Sequence, residues 1–315
     1  MNLIKLRKWW YLLSLIIIIP GTMSLALWGL KPSIDFTGGT QIEFSGTKDK
    51  TKLEEIARAN QISDFTVTVT GDGLMLRSKN VDEGKQKAFK AEAEKEITGA
   101  KQSRVDTVGA SISAEITRNS FLLIAAASLV IVIFIGISFR RVPKPVNSFE
   151  FGVVAIIALL HDALVLLGIF SLLGHFFGVE VDPLFITATL TVIGFSVHDT
   201  IVIFDRIREN LIKGSFGSFE NTVAVSVYEM LPRTINTSFL VWVILLVLFI
   251  FGGESIRFFV LALLIGVLSG SYSSILNASP LLVTWQDYKI KKKQKEKQPR
   301  RKFSLKLLGL IKKKK

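Results

Sequence analysis

Two His–Asp dipeptides are the residues of this chain best placed to do chemistry: His161-Asp162 and His198-Asp199. Each lies inside a long apolar run, Phe151–Phe177 and Pro183–Phe204 respectively. A carboxylate at bilayer depth costs about 3 kcal/mol even by insertion scales, and such residues usually face a bundle interior and serve a pathway. Asp162 is about twelve residues into its run, near mid-membrane at ~1.5 Å per residue. Asp199 shares its helical face with Val192, Phe195, Ser196, Val202 and Ile203, an apolar setting with one hydroxyl. Desolvation there penalises the charged form, so the chemistry on offer is proton uptake and release. Arg233, at the mouth of the next apolar run, is the candidate counter-charge. Adjacent helical residues point ~100° apart, so neither His–Asp pair is expected to make a compact site alone. His175 is expected at the outer membrane interface. The plain alternative for all these groups is static hydrogen bonding between helices.

Other chemistries are excluded early. The chain has no cysteine, which removes disulfides, thiolates and Cys-based metal sites. Its three histidines show no HExxH spacing. An aspartyl-protease dyad of Asp162 and Asp199 would need a GxGD-type loop, and neither residue has one. The expectation is therefore no bond-making enzyme, no metal and no organic cofactor, with protons as the coupling ion.

Helices must position these residues. The 315 residues are 49% hydrophobic with a mean hydropathy of +0.44, too apolar for a soluble protein of this length. A helix needs about 20 apolar residues to span a bilayer. Six runs qualify: Trp9–Leu30, Asn119–Phe139, Phe151–Phe177, Pro183–Phe204, Thr234–Gly253 and Phe258–Gln286. The first follows Lys5, Arg7 and Lys8 and is about twice as long as a signal-peptide core, so it is read as a retained anchor. Short connections at 139–150 and 205–233 carry Arg140, Arg141, Lys144, Arg206, Arg208, Lys213 and Arg233, whereas 175–182 has no Lys or Arg. Positive charge marks the inner side, which places both termini in the cytoplasm. Of the net charge of +13, +12 sits in residues 286–315. A basic tail of this kind fits anionic lipid headgroups; a nucleic-acid reader would spread its charge over a folded surface.

Five segments follow: a cytoplasmic N-terminus 1–8, span 9–30, an extracytoplasmic domain 31–118, five spans over 119–285 and the basic cytoplasmic tail 286–315. The domain has fourteen basic and fourteen acidic residues. Its patterns predict strand Thr40–Ser45, helix Lys50–Asn60, strands Phe65–Thr70 and Leu74–Ser78 joined by a tight Gly71-Asp72-Gly73 turn, helix Asp82–Thr98 and strand Ser103–Val108. That order is βαββαβ, the ferredoxin-like arrangement. The expected fold is thus a polytopic α-helical membrane protein with six spans and one α+β domain between the first two. In the last run, Gly266-x-x-x-Gly270 with Ser269, Ser271, Ser273 and Ser274 suggests a tightly packed helix interface.

The segment Asp35-Phe36-Thr37-Gly38-Gly39 resembles the DFxGG signature of the SecD/SecF family of protein-export membrane proteins, within the resistance-nodulation-division superfamily. Residues 190–210, including His198-Asp199, Asp205 and Arg206, are similar to the fourth-span motif of its SecF branch. The segments at Arg233–Ser238, with Asn236, and at Gly270-Ser271-Tyr272-Ser273-Ser274 fit as well, and His161-Asp162 fits the third-span pair. His198 stands where the family most often has asparagine. The resemblance implies a subunit pairing with SecD in a twelve-span assembly of the bacterial inner membrane. Its implied partners are the SecYEG channel, YajC and the translocating preprotein, and the proton-motive force is the energy source. Asp199 would be the proton-linked carboxylate and Arg233 its partner. The rival reading is a proton-coupled exporter of small molecules or lipids. A single small external module argues against it, because exporters of that superfamily carry larger ones.

Overall fold

The computed structural model describes residues 3–70, 73–79, 81–214 and 216–297. Six of its helical stretches are long and apolar enough to cross a membrane. Helix α1 (Arg7–Trp28) leads to a single turn, α2 (Ile34–Thr37), and then to a four-stranded sheet with two helices. These are β1 (Gly39–Ser45), α3 (Lys50–Ala59), β2 (Thr66–Thr70), β3 (Gly73–Ser78), α4 (Glu83–Glu96) and β4 (Lys101–Val108). The strands are ordered β2-β3-β1-β4 and every pair is antiparallel. All four strands begin within two residues of their predicted starts, at Gly39, Thr66, Gly73 and Lys101. The predicted turn at 71–73 falls largely outside the described residues. Alternation turns Ile42, Phe44, Leu74 and Leu76 to one face, where they pack on Leu53 and Ile56 of α3 and on Phe89 and Ala93 of α4. Phe44 and Phe89 meet edge to face, with centroids 5.6 Å apart.

The remaining spans are α5 (Ala110–Ser138), α6 (Ser148–Phe177), α7 (Pro183–Lys213), α8 (Phe219–Phe251) and α9 (Arg257–Ser273). The last of these continues through a π turn (Ser274–Ala278) into α10 (Ser279–Lys297). Several helices outrun their apolar stretches. α5 starts nine residues before Asn119, because β4 passes straight into it through Gly109. The basic connection expected at 205–233 is mostly helix, leaving only 214–218 between α7 and α8. Its residues 219–233 are polar enough to escape a hydropathy window. They nevertheless bury Thr222, Val223, Ala224, Ser226 and Val227 on one face, and Ser218 caps them by accepting from Asn221 N at 3.2 Å. The tail beyond 297 lies outside the described residues.

Local signals fix the helices that matter here. Asn147 caps α6 through the Glu150 amide at 3.0 Å, and Gly178, left-handed at φ 72°, ends it. Asp182 caps α7 through the Phe185 amide at 2.8 Å, with Pro183 in the first turn. Glycine brings α1 against α6: a Cβ on Gly21 would lie 2.9 Å from Gly168 Cα. α5 leaves Phe121, Leu122, Leu129 and Val130 exposed, as a lipid-facing helix does.

The sheet domain is tied to the α6–α7 connection. Val181 N donates to Lys31 O and Ser33 N to Val181 O, both at 2.8 Å. Arg77 adds an ion pair to Glu180 at 3.0 Å and a bond to Pro32 O at 3.0 Å.

Candidate functional site

Asp162 is the fifteenth of the thirty residues of α6 and has no exposed surface. Its carboxylate is satisfied at both oxygens. Oδ2 accepts from Ser196 Oγ of α7 at 2.5 Å and Ser273 Oγ of α9 at 2.6 Å. Oδ1 accepts from Ser269 Oγ at 2.7 Å and faces His161 Nδ1 at 3.0 Å. Ser269 and Ser273 are one turn apart, so a single face of α9 delivers both hydroxyls.

Small residues make this reach possible. A Cβ on Gly270 would lie 3.2 Å from Ser196 Cβ, and one on Gly266 would lie 2.0 Å from Val192 Cγ2. The GxxxG face therefore lets α9 approach α7 closely. One turn further along both helices, Thr200 and Ser274 share a hydroxyl bond at 2.8 Å.

The site continues through His161. Its Nε2 is 3.1 Å from Ser14 Oγ of α1 and 3.1 Å from Asn277 Nδ2 in the π turn. Tyr272 donates to Trp10 O at 2.8 Å and touches Ser14 Oγ at 3.1 Å. The π turn has a local cause: Pro280 has no amide hydrogen to give the carbonyl of Leu276, and its ring crowds that carbonyl. The adjacent His161 and Asp162 side chains are in contact, yet the pair does not make the site alone. Four other elements complete the cluster: α1, α7, α9 and the π turn.

Asp199 lies apart from this network. It is only 6% exposed, and its Oδ2 is buried without a hydrogen-bond partner among the described residues. The charges acting on it are those of His198 and Arg233. Arg233 does so through space, because no ion pair joins the two among the described residues. Arg233, Asn236 and His198 are all exposed. His198 belongs to an uncovered stripe of α7 with Leu184, Thr187, Thr191 and Gly194, spaced three or four residues apart. His175 stacks on Trp28 with ring centroids 3.7 Å apart, at the end of α6 nearest the sheet domain.

The other motif residues build structure around the site. Ser33 caps the turn carrying Asp35 and Phe36, and its hydroxyl bonds Asp35 Oδ2 at 2.9 Å. Gly38 and Gly39 have φ of 69° and 126°, and a Cβ on Gly39 would strike Ser78 O at 2.5 Å. Both glycines are thus needed where the chain enters the sheet. At the far end of α7, Asp205 pairs with Arg208 at 2.5 Å, while Arg206 bridges to Glu209 at 2.5 Å and Glu229 of α8 at 2.7 Å. The cluster residues not singled out from sequence are Ser14 and Asn277. A buried carboxamide inside an apolar span was a usable signal for Asn277, whereas Ser14 carries none that separates it from other span serines.

The comparisons with known proteins agree with one another. A family model described as protein export membrane protein SecD/SecF, C-terminal, matches residues 88–288, and the SecD/SecF GG motif matches 29–49. The protein translocase subunit SecF of Thermobaculum terrenum is 45% identical over 304 residues, covering 91% of this chain and 94% of that one. That of Anaerolinea thermophila is 39% identical over 293 residues, again covering 91% and 94%. The crystal structure of SecDF, a translocon-associated membrane protein from Thermus thermophilus, superposes with a TM-score of 0.77 at 27% identity. The match covers 91% of this chain but only 39% of that longer one. On this footing the chain belongs to the SecF family of protein-export membrane proteins.

Proposed function

We propose that this chain is the SecF-type subunit of the Sec export machinery, working with a SecD-type partner in the bacterial cytoplasmic membrane. In this reading it uses the proton-motive force to promote translocation and release of preproteins. The observation that carries the proton role is Asp199: a buried carboxyl with one oxygen unpartnered, beside two exposed basic side chains, His198 and Arg233. Asp162, by contrast, already accepts three serine hydroxyls and faces His161 Nδ1. Each proton crossing under 100 mV supplies about 2.3 kcal/mol, enough to bias two arrangements separated by a few kcal/mol.

The uncovered stripe of α7 supports the SecD-type partner. Polar and small side chains at bilayer depth are costly against lipid and favourable against another helix. Both termini are read as cytoplasmic and residues 31–118 as extracytoplasmic. The strand order β2-β3-β1-β4 supports a ferredoxin-like module whose rigid motion transmits the work. The SecYEG channel, YajC and anionic lipids at the tail remain part of this proposal.

The test is Asp199→Asn in the full complex. Folding and membrane insertion should persist while stimulation of export by the proton-motive force is lost; full stimulation would refute the proton role. Copurification from membranes separates the rival reading, since a Sec partner favours export of proteins and an outer-membrane channel favours small-molecule export.

A further inference from the structure

His161 has one ring nitrogen committed and one open. Nδ1 faces a carboxylate that already accepts three hydroxyls, so in the neutral ring the proton belongs on Nδ1. Nε2 is then an acceptor and takes Asn277 Nδ2 at 3.1 Å. The same Nδ2 donates to Ser14 Oγ at 2.7 Å. Tyr272 spends its proton on Trp10 O, so in its contact with Ser14 the serine is the donor. One atom is left over: Asn277 Oδ1 is buried and has no partner among the described residues. A bare buried amide oxygen is costly and calls for an account.

We propose that His161 is a second proton-binding residue and that Asn277 is a positioning residue that reads its charge by rotating its amide. The inference rests on the proton-coupling reading above and extends it to a second group. A proton arriving on Nε2 turns the contact with Asn277 Nδ2 into donor against donor. A half-turn of the amide puts Oδ1 in that place, where it accepts from both Nε2–H and Ser14 Oγ–H. Ser14 thereby withdraws its proton from Tyr272. One amide atom lacks a partner in either state, Oδ1 with the neutral ring and Nδ2 with the charged one. The two states are therefore closely matched, and the ring proton decides between them. When that proton leaves Nε2, the amide turns back.

The switch joins α1 through Ser14, α6 through His161 and the π turn through Asn277. The titratable groups facing the ring are Asp162 from its own helix and Tyr272 from α9, whose ring centroid is 6.2 Å away. From α7, Ser196 reaches Asp162 only. Among the described residues no Lys, Arg or Glu bonds to the ring, so its proton is answered by Asp162 and by neutral dipoles.

The experiment is nuclear magnetic resonance of isotope-labelled histidine in the full chain in lipid nanodiscs, followed from pH about 5 to 8. His161→Gln assigns the signals. His161 should pass from the Nδ1–H tautomer to the doubly protonated ring. In Asn277→Leu, which has no acceptor to turn, the ratio of charged to neutral ring at a given pH should fall about tenfold. In Asn277→Asp, which presents an acceptor without turning, that ratio should rise about tenfold. A carboxylate raises that ratio by its charge alone, so the fall in Asn277→Leu, where the acceptor is lost, carries the test. A His161 ring with constant protonation across the range, or two variants that shift alike or not at all, overturns the proposal. If Asn277→Leu does not fold, Asn277→Ala takes its place, and a ratio there that is unchanged or raised overturns the proposal. The same titration in Asp199→Asn keeps the two proposals apart: a His161 transition that persists there stands whether or not Asp199 couples export.

Discussion

A methyl group added at Gly266 tests the geometry on which the Asp162 cluster depends. In Gly266→Ala the new Cβ would lie 2.0 and 2.5 Å from the two γ carbons of Val192 and 2.8 Å from its Cβ. Rotating Val192 moves the γ carbons but not the Cβ, which the α7 backbone holds. Ordinary carbon contacts are ~3.5–4.0 Å, so α7 and α9 must separate by about 1 Å. Overpacking of this kind costs ~1–3 kcal/mol. The same displacement pulls Ser269 and Ser273 away from Asp162, now at 2.7 and 2.6 Å, to the limit of hydrogen bonding. Each such bond to a charged acceptor is worth ~1.5–3 kcal/mol, part of which relaxation recovers. The expected loss is about 3 kcal/mol. Gly270→Ala should lose only about 1 kcal/mol, because its nearest new neighbour, Ser196 Cβ, is already 3.2 Å away. Reversible unfolding of the full chain in mixed micelles, followed by tryptophan fluorescence, measures both. Val192→Gly should rescue Gly266→Ala almost fully and Val192→Ala only in part, each compared with its own single variant. A Gly266→Ala chain as stable as the parent, or a Val192→Gly that rescues nothing, would show that the close approach does not carry this energy.

Two further outcomes concern the sheet domain and its seat. Gly39→Ala combines a φ of 126° with a backbone oxygen 2.5 Å from the new Cβ, so it should destabilise the domain by about 2–3 kcal/mol, seen as faster proteolysis within 39–108 of the full chain. Gly38→Ala has the same positive-φ strain at 69° but meets the rotatable Ser113 hydroxyl at 3.3 Å and backbone no nearer than Val108 O at 3.5 Å, so it should be milder. Burial first, and then the nearby Asp35 charge, hold the Asp182 carboxyl above its ordinary value of 3.8. A raised acid is a burden to the fold while ionised, so its contribution to stability improves as pH falls through the folded value and levels off below 3.8. Asp182→Asn, which keeps an oxygen for the Phe185 amide, should remove this part of the pH dependence and stabilise the chain at neutral pH. An unchanged pH profile of unfolding would count against the assignment.

Some of this molecule was legible from composition and pattern because the physics is local. Hydrocarbon forbids unpaired backbone groups, so long apolar runs had to be helices, and period-two alternation in 40–45 or 66–70 had to be strands. Polarity misled where a helix is amphipathic: residues 219–233 are helical because one side of them is buried, which a hydropathy average conceals. The costly side chains also announced themselves, since Asp162 and Asp199 had no cheap reason to be in a span.

Sequence alone thus determined that the chain is built of membrane-length helices with a small mixed module after the first, and that two carboxyls within them required partners. The resemblance singled out Asp199 as the proton-linked carboxyl, but residue pattern gave the hydrogen-bond partners of neither, since both follow a histidine inside an apolar helix. Only tertiary structure decided that Asp162 collects three serines from two other helices beside its own neighbour His161, while Asp199 keeps a bare oxygen beside His198 and Arg233. The reason is that helix spacing and rotation set those partners. The contacts of Gly266 with Val192 and Gly270 with Ser196 fix that spacing, and they join residues more than seventy positions apart, a distance over which residue pattern carries no signal.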